Sequence, residues 1–179
     1  SDSEATDPNY QSNDYADLLI NDSANEIVES YHCFDKLYPA SITKVMTALL
    51  TLEHGNMDDE ITLKHDINLT EDGAVISTLT KGDTVTVGQV FHTMLIKSAN
   101  DCAVILAEYV AGSEAKFIDM MNERARELGA THTHFVNPNG LHNNDHYTTA
   151  YDLYLIFKEA VKHEEFVDTA VSYTHLRAH

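Results

Sequence analysis

Two apolar runs, residues 90–96 and 102–110, are separated by the polar stretch Lys97-Ser98-Ala99-Asn100-Asp101. Each run is apolar nearly all round at helical spacing, and a helix of that kind has to be buried. A chain with two such helices must build its core around them. The polar residues between them then become buried or line a cleft, where their hydrogen-bonding groups need partners. The plainer account is a capping turn, with Ser98 or Asn100 as N-cap of the second helix.

A third helix is predicted upstream. Ile42, Val45, Met46, Leu49 and Leu50 recur at spacings of three and four, and Gly55 stands where a helix ends at C′. Ser41 and Lys44 lie beside that stripe, at its edge. Residues three apart share a helix face, so a hydroxyl and an amine can meet there without help from another element. Serine is a poor nucleophile until a base takes its proton, and a partly desolvated lysine can be that base. The bland account is an N-cap serine and a solvated lysine.

The remaining chain reads as mixed strand and helix. Residues 1–15 are polar and poor in aliphatics, the signature of a disordered leader or linker. Residues 16–20 and 26–30 flank a turn-rich segment and predict a β-hairpin. Short β-like runs follow at 61–63, 74–77 and 84–87. Thr86 and Gln89 fit a capping box for the helix that carries the first apolar run. Ser113 is expected to cap a helix over 114–128, stopped by Gly129. Residues 131–148 form a long loop, and Thr149 with Asp152 opens what reads as the last helix, to about Lys162. The loop histidines His132, His134, His142 and His146 lack a His-Glu-x-x-His pattern and a carboxylate shell, so they read as structural rather than metal-binding.

Charge narrows the partners. With 11 Lys+Arg against 29 Asp+Glu, the net charge of −18 argues against nucleic acid or an anionic membrane surface. No run of about 18 apolar residues is present to span a bilayer. Cys33 and Cys102 have no metal-ligand spacing; they read as buried thiols, with a disulfide open to them if the domain is exported. The chain opens on Ser1 and reads as a mature or clipped product.

Several blocks together carry a resemblance. Pro39-Ala40-Ser41-Ile42-Thr43-Lys44-Val45-Met46, Lys81-Gly82-Asp83, Ser98-Ala99-Asn100-Asp101, Thr133-His134-Phe135-Val136-Asn137-Pro138, Gly140-Leu141 and His146-Tyr147-Thr148-Thr149-Ala150 occur in this order. They resemble the D-alanyl-D-alanine carboxypeptidases, the low-molecular-mass penicillin-binding proteins, whose first two motifs are Ser-x-x-Lys and Ser-x-Asn. The resemblance implies an α/β fold of α+β type, transpeptidase- or β-lactamase-like, with an antiparallel sheet flanked by a helical subdomain. It implies Ser41 as acylated nucleophile and Lys44 as its general base. Ser98 would relay protons to the leaving group, and Asn100 would hold Lys44 and the substrate amide. The implied partners are a peptidoglycan stem peptide and β-lactams. No cofactor and no metal are implied. An extracytoplasmic, monomeric protein of the cell envelope is expected. A class A-like β-lactamase shares both motifs but needs a Glu-x-x-Leu-Asn-type loop, which is not found; a non-catalytic wall-binding protein with a relict site is the other alternative.

Two departures qualify the resemblance. Ala99 stands where many relatives have glycine, a change expected to be tolerated. The family's third motif, a Lys-Thr-Gly-type triad on a strand lining the site, occurs nowhere in the 179 residues. The nine residues Val171-Ser172-Tyr173-Thr174-His175-Leu176-Arg177-Ala178-His179 are similar to a translated transposase-type sequencing adapter. The expected organisation is therefore a leader at 1–15, a partial catalytic domain at 16–170 and a non-native tail at 171–179. On that expectation the C-terminal sheet strands and any membrane anchor lie beyond this chain, and the fragment alone is inactive.

Overall fold

The computed structural model describes residues 39–69 and 74–178. The expected leader, the hairpin at 16–30 and Cys33 lie outside the described residues.

Helix α1, Pro39–His54, is the centre of the fold. Proline at the first position costs no hydrogen bond, because the first-turn N–H groups have no intrahelical acceptor. Every residue from Thr43 to Thr51 is buried, and α1 packs against four other helices. The expected stripe of Val45, Met46, Leu49 and Leu50 is in the core. Ser41 is the third residue of the helix, so the N-cap account of that serine does not hold. Gly55 does end the helix, but its φ is not among the positive ones. Its reason is space: a Cβ there would come within 2.6 Å of the Tyr109 ring.

Strands β1, Glu60–Thr62, and β2, Thr84–Thr86, pair antiparallel with Ile61 opposite Val85. Thr86 then caps helix α2, Val87–Lys97, through the expected capping box: its hydroxyl accepts from Gln89 N–H at 3.1 Å, and the Gln89 side chain accepts from Thr86 N–H at 2.8 Å. The second apolar run forms helix α3, Asn100–Ala111, closed by Gly112 in the left-handed region. Helix α3 is buried through its first eight residues as its pattern required, whereas α2 buries one face and leaves Gln89, His92 and Lys97 exposed; the two pack on each other and on α1.

Helix α4, Glu114–Glu127, starts at Ser113, whose hydroxyl accepts from Lys116 N–H. Helix α5, Ala150–Ala160, starts at Thr149 in the same manner, with Asp152 N–H donating. Arg124 of α4 bonds both oxygens of Glu53 on α1, at 2.8 and 3.0 Å, and reaches Glu159 of α5 at 3.3 Å. These three helices are thereby tied at one corner.

Two expectations fail. Residues 74–77 are not a strand; the Val75 carbonyl accepts instead from the start of α3. Residue 162 is not the end of the helical part, because α6, Glu164–Ala178, follows after a short turn. It packs on α2, and its buried Phe166 meets Phe157 of α5 edge-on, with ring centroids 6.3 Å apart. The helix runs through residues 171–178 without a break. Among the described residues the architecture is a helical body with a small antiparallel sheet, and no helix is long and apolar enough to cross a membrane.

Candidate active site

The residues singled out by sequence fall on elements that touch. Helix α1 carries Ser41 and Lys44 in its first two turns. It packs against α2 and α3, the two helices on either side of Ser98-Ala99. Lys44 is only 8% exposed, so it is buried rather than half desolvated at an edge. Ser41 lies in the first turn, where backbone N–H groups are not used inside the helix.

Ser98 terminates α2 with φ 54° and ψ 36°, and is the one non-glycine residue at positive φ among the described residues. The left-handed conformation costs an L-residue about 1–2 kcal/mol. Such strain collects at functional sites, because packing elsewhere has to hold it. The serine is exposed, while Ala99, Asn100 and Asp101 that follow are buried. Neither Ser98 nor Asn100 caps α3: the N-cap is Ala99, with no side-chain bond. Asn100 instead donates to the Val75 carbonyl twice, from its backbone N–H at 2.8 Å and from Nδ2 at 3.1 Å.

A set of residues that sequence reading did not single out fixes the other side of α1. Thr43, Thr47 and Thr51 are buried one turn apart. The Thr47 hydroxyl donates to the Pro138 carbonyl at 2.6 Å, and Thr51 donates back to the Thr47 carbonyl. Thr43 Oγ1 shares a hydrogen bond of 3.0 Å with His146 Nε2. The long loop 131–148 is thus docked on the helix that carries Ser41 and Lys44. The threonines at intervals of four were the available signal. Asn137 and Asn139 build the loop's own turn, accepting from the N–H groups of Gly140 and Leu141. A bridge between His134 and Tyr147 closes it.

Of the loop histidines, His146 makes that docking bond and His134 ties the loop to itself. His134 Nδ1 bonds the Asp145 carbonyl at 2.7 Å. His146 stacks edge-on against Phe135, and its Nδ1 is buried with no partner. Burial, with His134 adding a smaller push, lowers its pKa from 6.5 to about 4, so the ring is neutral at physiological pH. No group of three or more His, Cys, Asp or Glu positioned for a metal occurs among the described residues. Cys102 is a free, buried thiol pushed up to about 12 by burial and then by the charge of Asp101, so it stays protonated and offers no rival nucleophile.

The His146 shift has a sign that can be checked. An unfolded histidine titrates near 6.5, whereas the folded one stays unprotonated down to about pH 4. As pH falls through that window the unfolded chain binds a proton that the folded chain does not, so stability falls. Partial exposure and screening reduce the effect to about 1–2 kcal/mol. In His146→Gln the urea midpoint is expected to fall less steeply between pH 6.5 and 4 than in the parent; equal slopes would refute the assignment.

Comparison with known proteins covers nearly the whole chain. The family model described as D-alanyl-D-alanine carboxypeptidase matches residues 2–176. D-alanyl-D-alanine carboxypeptidase DacF of Bacillus subtilis is 34% identical over 162 residues, covering 87% of this chain and 41% of the relative. DacC of Escherichia coli is 32% identical over 153 residues, covering 80% of this chain and 38% of the relative. The chain therefore spans about two fifths of the length of these relatives. Among solved structures, penicillin binding protein 6B from Escherichia coli superposes with a TM-score of 0.65 at 32% identity, over 73% of this chain and 44% of that one. A D-alanyl-D-alanine carboxypeptidase from Mycobacterium tuberculosis gives 0.64 at 30% identity, over 72% and 48%. The expected transpeptidase-like α+β fold is therefore the fold observed. With Ser-x-x-Lys on the central helix, Ser-Ala-Asn at the strained turn beside it and a match over residues 2–176, the chain belongs to the D-alanyl-D-alanine carboxypeptidase family of serine peptidases.

Proposed function

We propose that the full-length protein is a serine-type carboxypeptidase that removes the terminal D-alanine from peptidoglycan stem peptides, outside the cytoplasmic membrane and as a monomer. The observation that carries this reading is the burial of Lys44 on α1, the helix that packs against both helices flanking the strained Ser98 turn. A lysine with so little contact with water is suited to accept a proton.

In this reading the Ser41 hydroxyl attacks the carbonyl carbon of the D-Ala–D-Ala bond and passes its proton to Lys44. The tetrahedral oxyanion is held in part by the Ser41 backbone N–H, in the first turn of α1. Collapse breaks the C–N bond, and Ser98 relays the proton to the departing D-alanine amine. Asn100 holds the substrate amide. Water then attacks the ester on Ser41 and releases the shortened peptide. A β-lactam enters by the same attack, but the amine it expels stays tethered to the acyl group, which slows hydrolysis. The strand with the Lys-Thr-Gly-type triad would form the far wall and is not within these 179 residues, so the activity is proposed for the longer protein.

The test is covalent labelling of the full-length protein with a fluorescent penicillin. Label is expected on the parent and absent, to background, on Ser41→Ala. Label that survives Ser41→Ala would overturn the assignment of the nucleophile, and a parent that takes no label would favour a non-catalytic wall-binding role.

A further inference from the structure

We propose that Asp101 is a positioning residue for this reaction, acting through the segment 75–79 to fix the amide of Asn100. The inference rests on the proposed function, which gives Asn100 its contact with substrate.

Asp101 is 4% exposed. Its Oδ1 accepts from the backbone N–H of Ser77 at 2.9 Å and of Cys102 at 3.0 Å. Its Oδ2 accepts from the Ser77 hydroxyl at 2.6 Å, and that hydroxyl accepts in turn from Leu79 N–H at 3.2 Å. Two residues earlier, the Val75 carbonyl takes both the backbone N–H and the Nδ2 of Asn100. The Val75 carbonyl and the Ser77 N–H thus both face the start of α3. The result is a closed clamp: two neighbours on the helix hold two alternate residues of the segment.

Apolar packing holds the segment only further along, at Leu79. Val75 and Ile76 are 48% and 61% exposed. Buried carboxylate bonds to N–H and O–H groups are among the stronger hydrogen bonds a protein makes. Asp101 therefore supplies the attachment that the apolar residues do not. With the segment in place, one Nδ2 hydrogen of Asn100 is committed to Val75, which fixes the amide plane. Its other N–H and its carbonyl oxygen are then pre-aimed, at no cost when substrate arrives. Without Asp101 the Val75 carbonyl is free to leave and the amide to rotate. A carboxylate in the first turn of α3 also favours the helix electrostatically, and this second role has to be separated from the first.

The separating measurement is the penicillin acylation rate constant per titratable Ser41 site in the full-length protein. Misplacement of a substrate-holding group on the ångström scale costs up to about 100-fold, so Asp101→Ala is expected to slow acylation per site by about 10–100-fold. Asp101→Asn keeps an acceptor for both N–H groups, and the Ser77 hydroxyl can turn to accept from its amide, so it is expected to recover the parent rate to within a few-fold. A purely helix-stabilising role would lower the melting temperature and the number of titratable sites but leave the rate per site at the parent value; that result overturns the proposal. If Asp101→Ala gives no titratable protein, Ser77→Ala decides, since it removes the 2.6 Å bond and the one from Leu79 N–H but keeps the bonds from the Ser77 and Cys102 N–H groups to Asp101. Several-fold slower acylation per site supports the clamp, and the parent rate refutes it. A parent that fails to label at Ser41 overturns the proposed function and this inference together, whereas a labelled parent with unchanged variants overturns this inference alone.

Discussion

Replacing Lys44 by methionine is expected to slow penicillin acylation of the full-length protein by about 10²–10⁴-fold, the usual contribution of a positioned general base. Methionine is chosen because it nearly matches the lysine stem in length and is at home in a site that is 8% exposed. An alanine there would add a cavity to the loss of the base and confuse the two. Removing a buried ammonium-forming group lifts a desolvation cost but also takes a bond from its partner, and with the two opposed only a small change in melting temperature is expected. Slow acylation at undiminished stability would identify Lys44 as part of the chemistry. Acylation within a few-fold of the parent would assign the proton to another group, and a large drop in melting temperature would make Lys44 a structural cation.

Phe135→Ala carries the largest expected effect on stability, about 3–5 kcal/mol. The ring is fully buried, and Asn122 holds the backbone of the same residue from both sides, accepting from its N–H and donating to its carbonyl at 2.9 Å each. His146 lies edge-on to the ring at 5.5 Å. Deleting the ring leaves a cavity in the core, under a loop whose backbone is fixed to α4 at this residue, with little room to collapse. Against a typical total of about 5–15 kcal/mol, such a loss leaves a marginal fold. Urea denaturation of parent and variant reads the difference directly; a change below about 1 kcal/mol would mean that the loop closes over the gap.

Much of the helical part was legible because its signals are local. The capping box at Thr86 and Gln89, the caps at Ser113 and Thr149 and the stripe on α1 each lie within one or two turns of chain. The burial of α3 followed from its having almost no polar face, whereas α2 keeps Gln89, His92 and Lys97 in solvent. What failed was decided at long range. Residues 74–77 have the β-branched look of a strand, yet their bonding groups are taken by Asn100 and Asp101, more than twenty residues away. Helix α6 escaped because it has no clean apolar stripe: Phe166 and Ala170 are buried, Glu164 and Val171 are exposed, and its end reads as an adapter-like tail. Ser98 could be named as a candidate, but its left-handed backbone could not, since nothing in Lys-Ser-Ala demands it. The same holds for Asp101, which sequence shows next to a motif but not in contact with Ser77.

The row of hydroxyls along α1 has a consequence for how the loop 131–148 can change. Its interior side is anchored at two points a turn apart, by Thr47 to Pro138 and by Thr43 to His146. Added length near either anchor would pull a bonded group off the helix. The exposed turn at 142–145 is itself tied to the second anchor: the Asn143 carbonyl accepts from His146 N–H at 3.1 Å, and the Asp145 carbonyl is bonded by His134. A change of length in that turn would therefore move His146 as well, so the loop is expected to accept substitutions at its exposed positions, whereas an inserted residue would reach the helix that bears Ser41.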